Sequence, residues 1–236
     1  MTVPYWQANI PEDQRVAECP GFLRTLSAKD ERIIATPQAD YEVMPWPEVQ
    51  SIVANNQLDR FQRDPLALRR YLEYAWGLKA EYGSAVNYVL QERLRWDVAE
   101  LSTTATTEQT VAALTVAMDK PYLSSSPSSD LRILCNDWPY GIDERIVHLV
   151  VWTKFGLADD PETGDLTDGA RASIEAYVHA VFGELGKDNY IWFKNWKSLK
   201  SVLLVEHFHV MLFDPPADFV AKVTGGDIPL SKRLFE

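Results

Sequence analysis

The sequence predicts an α+β fold, with a mainly helical first half followed by an antiparallel sheet that has one helix packed on it. The period of the apolar residues changes from about 3.6 to 2 near Leu131. The run Ile146 to Thr153 (IVHLVVWT) is rich in β-branched residues, which is typical of a strand. A single apolar stripe between Asp168 and Leu185 indicates an amphipathic helix beside the strands.

The composition is that of a globular chain with an acidic surface. Of 236 residues, 46% are hydrophobic and 24% are charged, and the net charge is −11. This charge argues against nucleic acid as a partner. The two cysteines have no CxxC spacing, and the N-terminus does not resemble a signal peptide. No apolar run is long enough to span a membrane. These observations predict a cytoplasmic protein without a membrane anchor.

Prolines divide the first half of the chain. Residues 1–46 hold five prolines and are expected to form an irregular extension without long helices. Residues 47–120 are expected to form a helical flank, with a short helix from Pro47. The main helix starts at Asp64 and Pro65 and continues as far as Trp96, with possible breaks at two glycines. A further helix is expected between Thr107 and Met118.

Residues 121–236 are expected to form the α+β core, in one compact unit with the flank. Leu131 to Cys135 and Ile146 to Thr153 are predicted to form a β-hairpin. The helix begins at Thr167 or Asp168 and ends at Gly186. Strands over Tyr190 to Phe193 and Val202 to Phe213 follow, before a tail that contains Pro215 and Pro216.

Two histidines stand in the last predicted strand. Side chains alternate across a strand, so His207 and His209 share one face. Such a pair can ligate a metal, share a proton or supply a nucleophile, and it can also be purely structural. His148 lies on the other long strand, where a hydrogen-bonded core histidine is the favoured interpretation. His179 is expected to have a packing or surface role.

Other motifs, present or absent, narrow the choice of function. The sequence holds no glycine-rich phosphate loop, GxSxG elbow or HExxH pattern. On the predicted helix, Asn87, Gln91 and Arg95 are four apart and share a face. Either this face is solvated, or it lines a cavity over the strands, where Arg93 or Arg95 meets an anionic group.

Several longer motifs carry a resemblance to a known family. NDWPYGI (Asn136 to Ile142), HLVVWTK (His148 to Lys154), EHFHVM (Glu206 to Met211) and the helix segment from Lys79 to Trp96 resemble the fungal N-acetylglucosamine-induced protein family, a domain of unknown function. The resemblance covers roughly Trp46 to Phe213. It names no reaction.

The order of elements is also similar to the histidine triad (HIT) superfamily of nucleotidyl hydrolases and transferases. That resemblance implies a HIT-like sheet, with His207 as the nucleophile and His209 binding phosphoryl oxygens. Val205 stands where the first triad histidine belongs, which lowers the expectation of phosphoryl chemistry. The substrate-binding residues that the two resemblances and the helix face predict are Asn87, Gln91, Arg93, Arg95, Asn136, Asp137, His148, Lys154, Asn195 and Ser201.

Three functions therefore stay open. The first is a HIT-like enzyme acting on a nucleotide, a sugar phosphate or another anionic small molecule, which needs no metal or cofactor. The second is a metabolic enzyme that uses the histidine pair as general acid and base on a non-phosphorylated substrate. The third is a non-catalytic binding protein that responds to an amino sugar. The oligomeric state is left open, with a homodimer as one option.

Overall fold

The computed structural model describes residues 3–96, 108–109, 112, 123, 129–200, 202 and 204–235. A four-stranded antiparallel sheet lies between two helical layers, which makes the fold α+β, as the sequence predicts. One layer comes from the first half of the chain, and the other comes from helices that follow the second and the last strands. None of the helices in the described ranges is long and apolar enough to cross a membrane.

The first helical layer is built from capped helices. Helix α1 (Ala28–Ala35) begins after Ser27, whose side chain accepts from the backbone N–H of Asp30. Helix α2 (Trp46–Ala54) has a proline in its first turn. Helix α3 (Pro65–Tyr82) begins after Asp64, whose carboxylate accepts from the backbone N–H groups of the next helical turn. The cap predicted at Asp64 is therefore present.

The main helix is interrupted at Gly83, one of the two glycines, Gly77 and Gly83, at which the sequence allows a break before Trp96. It ends at Gly83, whose φ of 75° suits a residue without a Cβ. A short helix α4 (Ala85–Tyr88) then begins and continues as a π-helical stretch, Val89–Leu94. Arg95, with a φ of 49°, ends it.

Four strands form the sheet in the order β1-β2-β4-β3, and every neighbouring pair is antiparallel. They are β1 (Leu131–Cys135), β2 (Ile146–Thr153), β3 (Tyr190–Phe193) and β4 (Glu206–Phe213). The long strands β2 and β4 pair along their whole lengths at the centre of the sheet. The first and last residues of β1, β2 and β3 match the sequence prediction.

One face of the sheet packs against helix α5 (Asp168–Phe182). Thr167 caps this helix, and a short 3-10 turn extends it to Leu185. Its apolar stripe lies on side chains of β2 and β4. Helix α6 (Ala217–Thr224) adds Phe219 to the same cluster, and Phe219 stands against Phe182 at 6.3 Å between ring centroids.

Two boundaries in the second half differ from the prediction. β4 begins at Glu206, not at Val202. Val202 and Val205 are buried against the first helical layer, so the apolar run before Glu206 reflects burial rather than strand pairing. The predicted tail contains α6 and a last helix, α7 (Leu230–Phe235). Pro216 precedes α6, and Gly225 in the left-handed region ends it, so the signals for a helix are present in the sequence.

Two other predictions are not tested. The helix expected over Thr107 to Met118 lies outside the described residues, except for Glu108, Gln109 and Ala112. The expected division into 1–46, 47–120 and 121–236 stays a prediction. The first of these segments does contain α1, because the Ser27 cap allows a helix of eight residues between Pro20 and Pro37.

Candidate active site

The pairing of β2 with β4 brings three histidines to one face of the sheet. Trp152 is paired with His207, Val150 with His209, and His148 with Met211. Side chains of paired residues point to the same side, so these six residues form one surface, here called the histidine face. The three imidazoles are buried, with 4%, 3% and 6% of their surface exposed at His148, His207 and His209.

Two of the histidines belong to a chain of hydrogen bonds. The backbone N–H of Trp138 donates to Oδ1 of Asn136, so the amide nitrogen of Asn136 is the atom directed at the His148 ring, 3.2 to 3.3 Å from its nitrogens. Nε2 of His148 lies 2.9 Å from Nδ1 of His209, and Nε2 of His209 lies 3.0 Å from the Asn195 amide. Both ring nitrogens of His209 are therefore engaged.

His207 is bonded differently. Its Nδ1 lies 2.8 Å from the carbonyl oxygen of Val205. A carbonyl oxygen only accepts, so Nδ1 carries the proton and Nε2 has the lone pair in the neutral ring. Nε2 has no hydrogen-bond partner in the described ranges. The Trp152 ring lies 4.5 Å from the His207 ring and holds it in place.

Burial keeps all three rings neutral near pH 7. Desolvation lowers the pKa of His148 to about 3 and that of His207 to about 4. It also lowers the pKa of His209 well below its usual value, and the other two histidines contribute to this shift. Arg63 and Lys200 act in the same direction as nearby positive charges.

A cavity of about 490 Å³ lies over the histidine face. Its floor includes His207, His209 and Asn195, and its opposite wall comes from α3 and the π-helical stretch. Aromatic side chains form much of the remaining wall, and these are Phe61, Tyr71, Tyr74, Tyr88, Trp138, Tyr140 and Trp152. A cavity of this size, mainly apolar with a few convergent polar groups, is typical of a small-molecule site.

Asn195 is the most notable polar group in the cavity. It is 7% exposed, and its Oδ1 has no hydrogen-bond partner in the part of the chain that the structure describes. A buried polar atom without a partner is costly, and binding sites are common places for one. Asn195 also borders a smaller cavity of about 210 Å³, which Lys194, Lys200 and Glu206 line.

Several of the predicted substrate-binding residues are held in ion pairs. Arg93 donates to Asp137 at 2.8 Å and forms a bidentate pair with Asp227 at 2.7 and 2.9 Å. Desolvation raises the pKa of Asp137, although Arg93 opposes this shift. Arg93 and Asp137 line the cavity, but they bind each other. Asp137 also accepts from the N–H of Leu230 at the start of α7. Lys154 lies 3.3 Å from buried Asp130 and does not line the cavity.

The structure does not bring the rest of the predicted helix face to the cavity. Asn87 donates to the carbonyl oxygen of Tyr82 at the end of α3. Gln91 and Arg95 are exposed, whereas Leu90 and Leu94 of the same stretch are buried. Ser201 lies outside the described residues. His179 is exposed on α5, next to the Tyr190 hydroxyl.

Sequence reasoning missed three cations of the cavity, Lys29, Arg63 and Lys200. Lys200 donates to Glu206, the residue before His207. Arg63 stands directly before the Asp64 cap of α3. Its position next to a strong helix start is a weak signal, since nothing in the local sequence shows that this helix end meets the sheet.

No group of three or more histidine, cysteine or acidic side chains in the described ranges is arranged to hold a metal ion. In particular, His148 and His209 are hydrogen-bonded to each other. The metal-ligand interpretation of the His-x-His pair therefore finds no support in this arrangement.

A family model described as "Protein of unknown function (DUF3605)" matches residues 45–213. The chain belongs to this family. The matched range runs from the start of α2 to the end of β4, so it includes the sheet, α5 and most of the cavity wall, but not the lining residues of α1 or Leu230 of α7.

Relatives of this DUF3605 chain come from two yeasts. N-acetylglucosamine-induced protein 1 of Candida albicans is 31% identical over 186 residues, which is 77% of this chain and 72% of that protein. An uncharacterized protein of Saccharomyces cerevisiae is 27% identical over 202 residues, or 83% of this chain and 93% of that protein. The family resemblance seen in the motifs is thereby confirmed.

A solved structure is also similar. The crystal structure of HTC1 superimposes with a TM-score of 0.58 at 28% identity, covering 80% of this chain and 96% of that one. These names describe an inducing sugar or no activity, so the chemistry of the DUF3605 chain has to be argued from its own site.

Proposed function

We propose that the cavity over the histidine face is the active site of a HIT-like hydrolase or transferase, with His207 as the nucleophile and a nucleotide, a sugar phosphate or another anionic metabolite as the substrate. The observation that carries this proposal is the bonding of His207. Its Nδ1 is tied to the Val205 carbonyl, so the lone pair of Nε2 is available in the neutral ring. His207 also lines the cavity.

The protonation state of His207 supports nucleophilic attack. Burial lowers its pKa to about 4, so the ring is neutral at pH 7. A pKa this low also makes the ring a weak base. An anionic substrate placed beside the ring counteracts this effect, because a negative charge favours the imidazolium form. The site is thus better matched to an anionic substrate than to a neutral one.

The reaction follows from this arrangement. Nε2 of His207 attacks phosphorus, the bond from phosphorus to the leaving oxygen breaks, and the leaving group departs with that electron pair and takes up a proton from solvent. Water, or another acceptor hydroxyl in a transferase, then attacks the phosphohistidine and releases a proton to solvent. The bond from phosphorus to Nε2 breaks, and His207 returns to its neutral form.

Charge that develops on the phosphoryl oxygens needs donors. Both ring nitrogens of His209 are hydrogen-bonded to described residues. We therefore assign the binding of phosphoryl oxygens to Asn195, whose amide lies 3.0 Å from Nε2 of His209. A 180° rotation of the Asn195 amide gives Oδ1 the N–H of His209 Nε2 as its donor and brings the amide nitrogen to the place of the unpartnered Oδ1, where it donates to the substrate. Lys200 supplies positive charge near His207, as its effect on the pKa of His207 indicates.

A second candidate is supported by Val205. Its side chain is buried at the place of the first triad histidine. A valine cannot move a proton, which favours a general acid and base role for His207 on a non-phosphorylated substrate, or a binding protein without catalysis. The printed name of the Candida albicans relative points to an amino sugar as the molecule to test for such binding.

The test is turnover of a panel of nucleotides and sugar phosphates by the wild type and by His207→Ala. General acid, base or nucleophilic groups typically contribute ~10²–10⁴-fold, so we expect a loss of at least that order in turnover. Intact-protein mass spectrometry of acid-free quenched samples should show a phosphoryl or nucleotidyl adduct on the wild type alone. His209→Ala should weaken the binding of anionic ligands as well as turnover.

The matched control is His179→Ala, which removes an exposed imidazole from α5, on the opposite side of the sheet. It should keep full activity, and thermal unfolding should show that each variant is folded. Full turnover by His207→Ala would contradict the proposal. Ligand binding without any turnover would instead support the binding protein.

We also propose a cytoplasmic location and a small-molecule substrate, with neither nucleic acid nor a membrane as a partner. The free thiols of Cys19 and Cys135 support a reducing compartment. The net charge of −11 opposes binding to a polyanion.

A further inference from the structure

Arg63 and Lys200 lie toward opposite ends of the histidine face. Both line the cavity. The charge of Arg63 lowers the pKa of His148 and His209, whereas Lys200 lowers the pKa of His207 and His209. Geometry places the two cations: Arg63 lies beside the Tyr140 ring, which is 5.2 Å from the His148 ring, whereas Lys200 donates to Glu206, the residue before His207.

The guanidinium of Arg63 is fixed before any ligand binds. Its Nε donates to the carbonyl oxygen of Trp138 at 3.0 Å. Its Cζ lies 4.0 Å from the centre of the Tyr71 ring and 5.8 Å from that of the Tyr140 ring. The group is therefore held by one nitrogen and by the faces of two aromatic rings.

The backbone at Arg63 is also held on both sides. The next residue, Asp64, caps α3, and the preceding Gln62 accepts a hydrogen bond from the N–H of Gly141 at 2.9 Å. Gly141 belongs to the same loop as Trp138. Arg63 is thus placed where the start of α3 meets the loop that connects β1 to β2.

The other cations of the cavity are occupied. Arg93 is bound by two carboxylates, Lys200 donates to Glu206, and Lys29 donates to the carbonyl oxygens of Asp59 and Phe61. By contrast, Nη1 and Nη2 of Arg63 have no hydrogen-bond partner in the part of the chain that the structure describes. An arginine with two free parallel donors matches a carboxylate or a phosphate group.

We propose that Arg63 is a second anion-binding subsite, so that the substrate carries two anionic groups: one reacts at His207 and the other is bound by Arg63. The first subsite rests on the proposed function. Strands rise about 3.3 Å per residue, and the partner of His148 lies four residues beyond His207, so the two ends of the histidine face are roughly 13 Å apart and the two anionic groups lie between them. The aromatic wall suits a flat or apolar portion between them.

The experiment compares three probes by isothermal titration calorimetry with the full chain. Phenyl phosphate has one anionic group. The phosphate monoester of 3-(4-hydroxyphenyl)propanoic acid adds a carboxylate at the far end, and its methyl ester removes that charge while keeping the shape. We expect the acid to bind the wild type at least ~10-fold more tightly than the ester, as one charge-assisted bidentate contact allows.

Two substitutions at Arg63 test the assignment. Arg63→Met should abolish the preference for the acid and leave the affinity for phenyl phosphate within about twofold, while Arg63→Lys should keep part of the preference. Arg70→Met is the matched control, because Arg70 is an exposed arginine on α3 that stacks on Phe235 and does not line the cavity. Thermal unfolding checks that each variant is folded.

The outcomes separate this inference from the proposed function. Equal binding of acid and ester by the wild type, or a preference that survives in Arg63→Met, would overturn the second subsite. If the preference depends on Arg63 but phenyl phosphate neither turns over nor binds near His207, the proposed reaction is wrong and the Arg63 subsite stands. Binding of none of the three probes would overturn both.

Discussion

The two faces of the central sheet are made by the same two strands but have opposite characters. On the α5 face, Leu149, Val151, Phe208 and Val210 are completely buried against an apolar helix. On the histidine face, the alternate residues of the same strands include three imidazoles, and those of His207 and His209 line a cavity. The period of two along each strand thus separates a dry core from a polar site.

The comparison shows how a polar site can be buried without loss of the fold. A buried polar group costs free energy unless it is hydrogen-bonded, and here Asn136, His148, His209 and Asn195 are hydrogen-bonded in a chain, in which Oδ1 of Asn195 has no partner among the described residues. The packed face supplies the apolar burial that stabilises the strands. The histidine face can then hold a reactive ring on a rigid support.

The first prediction concerns pH. The folded state lowers the pKa of His148 to about 3 and that of His207 to about 4, from the usual value of 6.5. Near pH 7 the two imidazoles are mainly neutral in both the folded and the unfolded chain. Below pH 6.5 the unfolded chain takes up protons that the folded chain excludes. Stability is therefore lost as pH falls, by about 4 kcal/mol at pH 5 for the two rings together, and His209 acts in the same direction.

Urea unfolding of the wild type at pH 7, 6 and 5 measures this loss. His207→Gln should make the free energy of unfolding depend less steeply on pH. The number of protons taken up on unfolding should fall by about one, because one titrating ring is gone. A free energy of unfolding that stays constant from pH 7 to 5 would show that the histidine face is open to water.

The second prediction tests the packed face. Phe208 is fully buried between β4 and α5, with the Tyr177 and Trp192 rings at 6.1 and 6.3 Å. Phe208→Ala should lower the free energy of unfolding by ~3–5 kcal/mol. Its neighbour on the other side of the strand is His207, yet the affinity for phenyl phosphate should stay within about twofold at temperatures where the variant is folded. A large loss of affinity would mean that the two faces are coupled.

The difference between the faces also explains what the sequence could predict. A strand face is a local property, so the shared side of His207 and His209 and the stripe of α5 follow from spacing alone. The contact between His148 and His209 depends on which strands pair and in which register, and no local signal encodes that.

The same reasoning applies to the helical layer. Spacing places Gln91 and Arg95 on one side of the chain, and both are exposed, but spacing alone does not tell whether that side meets solvent or the sheet. Arg63 was missed because its role depends on tertiary contacts with Trp138 and Tyr140, which lie far away in the sequence. Spacing predicts which residues share an element, and packing decides which elements meet.

The last prediction separates the covering helices from the histidine face that they cover. Asn87 satisfies the carbonyl oxygen of Tyr82 at the end of α3, so Asn87→Ala should cost about 1 kcal/mol of stability. Gln91 is exposed and has no such bond, so Gln91→Ala should change stability by less than ~0.5 kcal/mol. Neither residue lines the cavity, so both variants should bind phenyl phosphate as the wild type does. Urea unfolding and calorimetry measure the two effects. Weaker ligand binding by Gln91→Ala would show that Gln91 belongs to the site. It would contradict the arrangement in which α3 and the π-helical stretch cover the histidines with other side chains.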